Sequence, residues 1–122
     1  MHIDRKTFLR AAGAALLAAG GVLSWAAQAA PLDDAVAGLQ RDWEVVRYQT
    51  AAAEREKRFE ALASKAHQVS TAFPGRGEAL IWEGIIVSSY AGEKGGLSAL
   101  GLVKQAKALY EAAIQIDGNA LE

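Results

Sequence analysis

An all-α chain built of antiparallel helical hairpins is what this sequence predicts, and three observations predict it. Apolar residues return at alternating steps of three and four in four separate stretches, the spacing that lays one stripe along a helix. No stretch alternates with the period of two that a half-buried strand needs. Proline and glycine punctuate the stretches, at Phe73-Pro74-Gly75-Arg76-Gly77, from Gly92 to Gly96 and at Asp117-Gly118.

The first stretch carries Leu32, Val36, Leu39, Trp43 and Val46 along one face. Pro31 and Asp33-Asp34 suit its first turn, where a missing N–H is harmless and negative charge meets the positive helix end. Thr50 is the expected N-cap of the second helix, although Ala53 stands where a full capping box has an acid. That helix turns Phe59, Leu62, Ala63, Ala66, Val69 and Phe73 inward, and its charge run Glu54 to Arg58 reads as a solvated face with an i, i+4 pair between Glu54 and Arg58.

Phe73-Pro74 stops the second helix, because proline disfavours helical geometry in the residue before it. The third helix runs from about Glu78 to Tyr90, and its apolar residues from Ala79 to Val87 cover most of the circumference, which implies neighbours on more than one side. Ala99, Leu102, Val103, Ala106, Leu109, Tyr110 and Ala113 trace the fourth helix, with Gly118 placed to end it. The expected hairpins are 32–73 and 78–117.

Ahead of these helices, residues 1–29 read as a signal peptide. Arg5, Lys6 and Arg10 precede an Ala/Leu/Gly run, and Ala27-Gln28-Ala29 supplies a small-residue cleavage site. The run from Ala11 to Leu23 is short and weakly apolar for a membrane span. Asp4 to Arg10 resembles the twin-arginine export motif with Lys6 in place of the second arginine, and the ordinary secretory route stays open beside it. Either route leads to the periplasm, with a mature domain of residues 30–122.

The whole chain has a formal net charge of −1. Without its leader the charge is about −3, counted at ordinary side-chain pKa values, and no basic stripe is left for nucleic acid. The absence of cysteine excludes disulfides, thiol catalysis, thiolate metal sites and a lipid-anchored cysteine together. No cofactor is expected, and no enzyme machinery presents itself, because neither a nucleophile-base pair nor a carboxylate dyad can be assembled from the pattern.

In the second hairpin the residues resemble a known family. Ala106, Tyr110 and Ala113, followed by Ile114, Ile116 and Gly118, have the spacing of the second helix of a tetratricopeptide repeat (TPR), and Gly84 matches the small residue of its first helix, with Leu80 and Val87 in the usual aromatic positions. Gly118 stands where that family usually has proline, and Gly84 and Ala106 lie further apart than in the consensus repeat. The first hairpin matches only generically. A plain helical bundle with the same packing rules is the alternative. The resemblance implies a short TPR-like solenoid, expected to be incomplete at its C-terminal end, since stacked repeats usually number three or more and close with a capping helix.

Candidate contact residues gather at the end of the third helix. Ser88, Ser89, Tyr90, Glu93 and Lys94 lie in or beside "SYAGEKGG", read here as an extended hairpin loop, and long loops often carry function. A P-loop is not encoded, because Lys94 precedes its glycines, no hydroxyl residue follows it, and the preceding element is a helix. Trp43, Trp82 and Tyr90 supply the aromatic surface that small-molecule pockets favour. Glu83, an acid in an apolar helix, is expected on a narrow exposed edge or paired with an arginine across the hairpin; a buried acid there would mark a functional site instead. His67, with no acid at i±3 or i±4, is expected at the surface or half-buried on its helix and makes neither a metal site nor a catalytic triad.

The resemblance implies a protein or peptide interaction module whose groove is lined by the first helices of the two hairpins, and residues 1–29 imply its export to the periplasm. The alternative is a small-ligand binder or accessory component of a periplasmic solute transport system. Self-association is compatible with both.

Overall fold

In a computed structural model the backbone is described for residues 20–121 and the side chains for 30–118. Most of the proposed export segment lies outside these residues. The described residues form four α-helices, α1 (Gly20–Gln49), α2 (Ala52–Ala72), α3 (Gly77–Lys94) and α4 (Leu100–Leu121), with a 3-10 turn at Leu97–Ala99 between the last two. No described segment is a strand. The chain divides into two units, Met1–Pro31 and Leu32–Glu122, and the packing that follows is that of the second.

This is the all-α, antiparallel-hairpin fold that the periodicity predicts. α2 packs on α3, and α4 packs on α3 and on the 3-10 turn. The core gathers where α1, α2 and α3 meet. Leu39 and Val46 from α1, Phe59, Leu62 and Ala66 from α2 and Ile86 from α3 are buried together, with Trp43, Val69, Trp82 and Tyr90 packed around them. Every one of these belongs to an apolar stripe or aromatic set that the sequence displays.

Helix boundaries differ from expectation in four places, each for a local reason. α1 is described from Gly20, so Pro31 sits within a helix and not in its first turn. The alanine-rich stretch before it favours helix strongly enough to carry the element past the proline. Thr50 does not cap α2. Its Oγ1 donates to the Val45 carbonyl at 3.0 Å, closing the end of α1, and Ala51 takes the cap position without a side-chain bond.

The extended loop expected around Glu93 and Lys94 is helical instead. α3 continues to Lys94, a basic residue suited to the negative end of a helix. It stops at Gly95, whose N–H donates to the Ala91 carbonyl at 2.9 Å. Gly95 and Gly96 have φ of 69° and 65°, a region that side chains with a Cβ enter only at a cost, so the break falls on the two glycines alone. Finally, Gly118 does not end α4, which runs on to Leu121. Positive φ among the described residues is confined to Gly75, Gly95 and Gly96, and Gly118 stays in the helix.

The seam between α3 and α4 is built differently from the core. Gly77, Ala79, Gly84, Val87 and Ala91 of α3 are buried, and so are Ala99, at the end of the 3-10 turn, and Ala106 and Ala113 of α4. Gly84 marks the closest approach: a Cβ there would lie 2.6 Å from Cε1 of Tyr110. The ring therefore lies against bare α3 backbone. The two residues in contact are ones that carry the resemblance to a helical repeat.

Candidate functional site

α1 and α3 bring their C-terminal ends together through Trp43. Its indole Nε1 donates to Ser89 Oγ at 2.9 Å, and its ring meets that of Trp82 edge-on, with centroids 6.1 Å apart. Ser89 in turn donates to the Ile85 carbonyl at 2.9 Å, so its hydroxyl is held by the helix while it accepts from the indole. A Trp ring that packs on one side and hydrogen-bonds on the other is fixed in place, which is how buried indoles usually behave.

One turn beyond this contact an open cleft of about 380 Å³ is lined by Arg47, Phe59, Ser88, Ser89, Gly92 and Glu93. Phe59 is fully buried and forms the apolar floor. Glu93 is engaged from the other side by Arg55 of α2, whose Nε lies 3.4 Å from Glu93 Oε1 in a charge contact without hydrogen-bond alignment. Arg47 lies alongside the Tyr48 ring, 5.9 Å from its centroid, and among the described residues it has no ion-pair partner. With the Ser89 proton held by the Ile85 carbonyl and Glu93 engaged by Arg55, the cleft offers the Arg47 guanidinium and the Ser88 hydroxyl over an aromatic floor, a set that suits a carboxylate attached to an apolar body.

Of the residues singled out by sequence, Ser88, Ser89 and Glu93 line this cleft, Trp43 is bonded to its Ser89 wall, and Trp82 packs edge-on against Trp43. Tyr90 and Lys94 do not join them. Tyr90 points to α2, where its hydroxyl donates to Glu60 Oε2 at 2.6 Å, and Lys94 Nζ sits 5.8 Å from the Tyr90 ring centroid. The bond to Glu60 raises the Tyr90 phenol above its ordinary value of 10.0, with desolvation and the charges of Glu60 and Glu56 adding in the same direction. Ser88 is exposed, and its hydroxyl lies 3.3 Å from that of Tyr110, tying the rim to α4.

Glu83 is neither exposed nor paired with an arginine. It is 1% exposed, and its carboxylate accepts from Ser70 Oγ at 2.5 Å and meets His67 Nδ1 at 3.0 Å, both on α2. The sequence hides this because the partners come from another helix: His67 lacks an acid on its own helix and finds one across the interface. His67 itself is exposed, as expected. Ser70 donates to Glu83 and His67 pairs with Glu83, so the hydroxyl and the imidazole share the acid and are not joined to each other. The arrangement locks α2 to α3 and does not activate a nucleophile.

Sequence reasoning missed Arg47, Arg55 and Phe59 at the cleft. Arg47 stands four residues after Trp43, on the same helical face, a signal that was available. Arg55 was concealed in the charge run of α2, which is solvated except at this residue. Among the described residues no group of three or more His, Cys, Asp or Glu is placed to hold a metal ion, and no helix is long and apolar enough to cross a membrane. Comparison of the chain with family models, with curated proteins and with solved structures returns no match.

Proposed function

We propose that this chain is an exported, periplasmic interaction module of helical-repeat type, and that it takes an acidic side chain or terminal carboxylate of a partner protein or peptide in the α1–α3 cleft. The observation that carries the reading is Arg47 at the mouth of a cleft whose floor is Phe59 and whose walls are Ser88 and Ser89. An arginine with no ion-pair partner among the described residues, beside the Ser88 hydroxyl and an aromatic floor, is equipped for bidentate recognition. Export rests on the basic start, mild apolar run and Ala-x-Ala site of residues 1–29. Cleavage after Ala29 would leave Pro31 in the first turn of a shortened α1, where proline is well tolerated.

Crosslinking in the periplasm tests this. A protein partner recovered with the wild-type chain and lost with Arg47→Glu is the expected result; recovery that is indifferent to Arg47 refutes the cleft as the docking point. The cleft volume also falls in the range of small-molecule sites, and this favours the second reading, a small-ligand binder serving a transport system. With Trp43 bonded to the cleft wall, a change of tryptophan fluorescence on adding small carboxylates, in a chain that captures no protein, would select that reading over the first.

A further inference from the structure

The α1–α3 cleft carries charges of both signs. Arg47 lines it from α1 and Glu93 from α3, and no ion pair joins them. Arg55 meets Glu93 in a charge contact only, 3.4 Å from Oε1 and without hydrogen-bond alignment, and does not itself line the cleft. No described residue donates a hydrogen bond to Glu93, so the acceptor capacity of its carboxylate is unspent. Glu93 also stands in the last turn of α3, where the final carbonyls and the negative helix end favour a cation. Lys94, the basic residue of that turn, lies by the Tyr90 ring and not in the cleft.

Phe59 gives the same cleft a fully buried aromatic floor, and Gly92 leaves its α3 wall bare, with nothing within 4 Å of the position a Cβ would take. A ligand that answers all three features has a carboxylate, an ammonium and an apolar side chain. An anion alone satisfies Arg47 but sets like charge beside Glu93, and a cation alone does the reverse. An α-amino acid carries both charges and the side chain on one carbon. The cleft volume of about 380 Å³ stands near the lower end of the roughly 300–1,000 Å³ of small-molecule sites, which suits one residue better than a peptide.

We propose that the α1–α3 cleft binds a free apolar α-amino acid as its zwitterion, with the carboxylate on Arg47, the ammonium on Glu93 and the side chain over Phe59. This deepens the small-ligand reading of the cleft and rests on it.

Titration calorimetry of the full chain with L-leucine, N-acetyl-L-leucine and L-leucinamide provides the test, since each analogue keeps the side chain and only one of the two charges. Leucine is expected to bind roughly tenfold or more tighter than either analogue, because each leaves one charged group of the cleft unanswered. Glu93→Gln should remove the preference for leucine over N-acetyl-leucine, and Arg47→Gln the preference over leucinamide, with helical circular dichroism unchanged. N-acetyl-leucine binding as tightly as leucine, or a folded Glu93→Gln that keeps the preference, overturns the proposal and leaves the carboxylate reading of the cleft standing. Leucinamide binding as tightly as leucine overturns both, because Arg47 then holds no anion. Binding of none of the three overturns the proposal together with the small-ligand reading and leaves the protein-partner one. The three ligands on the wild type decide the matter even where a variant fails to fold.

Discussion

The two sides of α3 are packed by opposite means. Toward α1 and α2, large side chains interdigitate: Phe59, Leu39 and Ile86 are wholly buried, with Trp43 and Trp82 at the edge. Toward α4 the buried residues are Gly77, Ala79, Gly84, Val87, Ala91, Ala99, Ala106 and Ala113, all but Val87 glycine or alanine, and the largest ring, Tyr110, lies on backbone that glycine leaves bare. The first side draws its stability from buried area, the second from close approach. Small residues on both helices let the backbones come near but remove little surface from water, so α4 is held by close fit, and Val103 and Ile114 stay exposed.

A truncation on each side of α3 should expose this contrast most clearly. Phe59→Ala should cost about 3–5 kcal/mol in denaturant unfolding, most of the stability of a small domain. Ala113→Gly on the other side should cost about 1 kcal/mol, chiefly through helix propensity. Equal losses would mean that the two sides do not differ in kind.

Next in size is Glu83, which belongs to the α2 side although it is an acid. Glu83→Ala should cost about 1–3 kcal/mol by leaving Ser70 and His67 without their acceptor. Glu83→Gln, which keeps an acceptor oxygen for the Ser70 hydroxyl, should recover part of the loss in thermal melts. If the glutamine variant is as unstable as the alanine one, charge and not hydrogen bonding holds that contact.

On the α4 side, Gly84 should show a change of sign. In the wild type Gly84→Ala presses a methyl on the Tyr110 ring and should destabilise by about 1–3 kcal/mol, as overpacking does. In a Tyr110→Ala background the clash is gone, and the same substitution should stabilise by up to about 1 kcal/mol through helix propensity. A double-mutant cycle reads the coupling directly; additivity would show that the close approach contributes nothing.

The smallest effect is spectroscopic. Tyr90 should ionise later than an ordinary tyrosine because its hydroxyl donates to Glu60. Since the folded-state value is the higher one, the bond's contribution is fully present below the ordinary tyrosine range and is lost as pH rises through the raised value. Glu60→Gln should bring the tyrosinate absorbance of Tyr90 back toward ordinary pH, and an unchanged titration would remove Glu60 as the cause.

How much of this is legible in the sequence depends on whether the interaction is local. The four helices, the hairpin order, the inward set Leu39, Val46, Phe59, Leu62 and Ala66, and the break at Pro74 all follow from three-four spacing and from the conformational limits of proline. The gathering of Ser88, Ser89, Glu93 and Trp43 is only half visible. Three of them are close in the chain, but the glycines around them suggest a loop, whereas helix propensity carries α3 on to Lys94.

Fold class, element order and the apolar faces are therefore written in the chain itself, because each depends on periodicity within one helix or on the backbone of a single residue. Three features are not: the seating of Tyr110 against Gly84, the burial of Glu83 against Ser70 and His67, and the opening of Arg47 onto a cleft floored by Phe59. These depend on the rotation of one helix against another. That angle is set jointly by all the contacts across the interface, and no single segment of the chain encodes it.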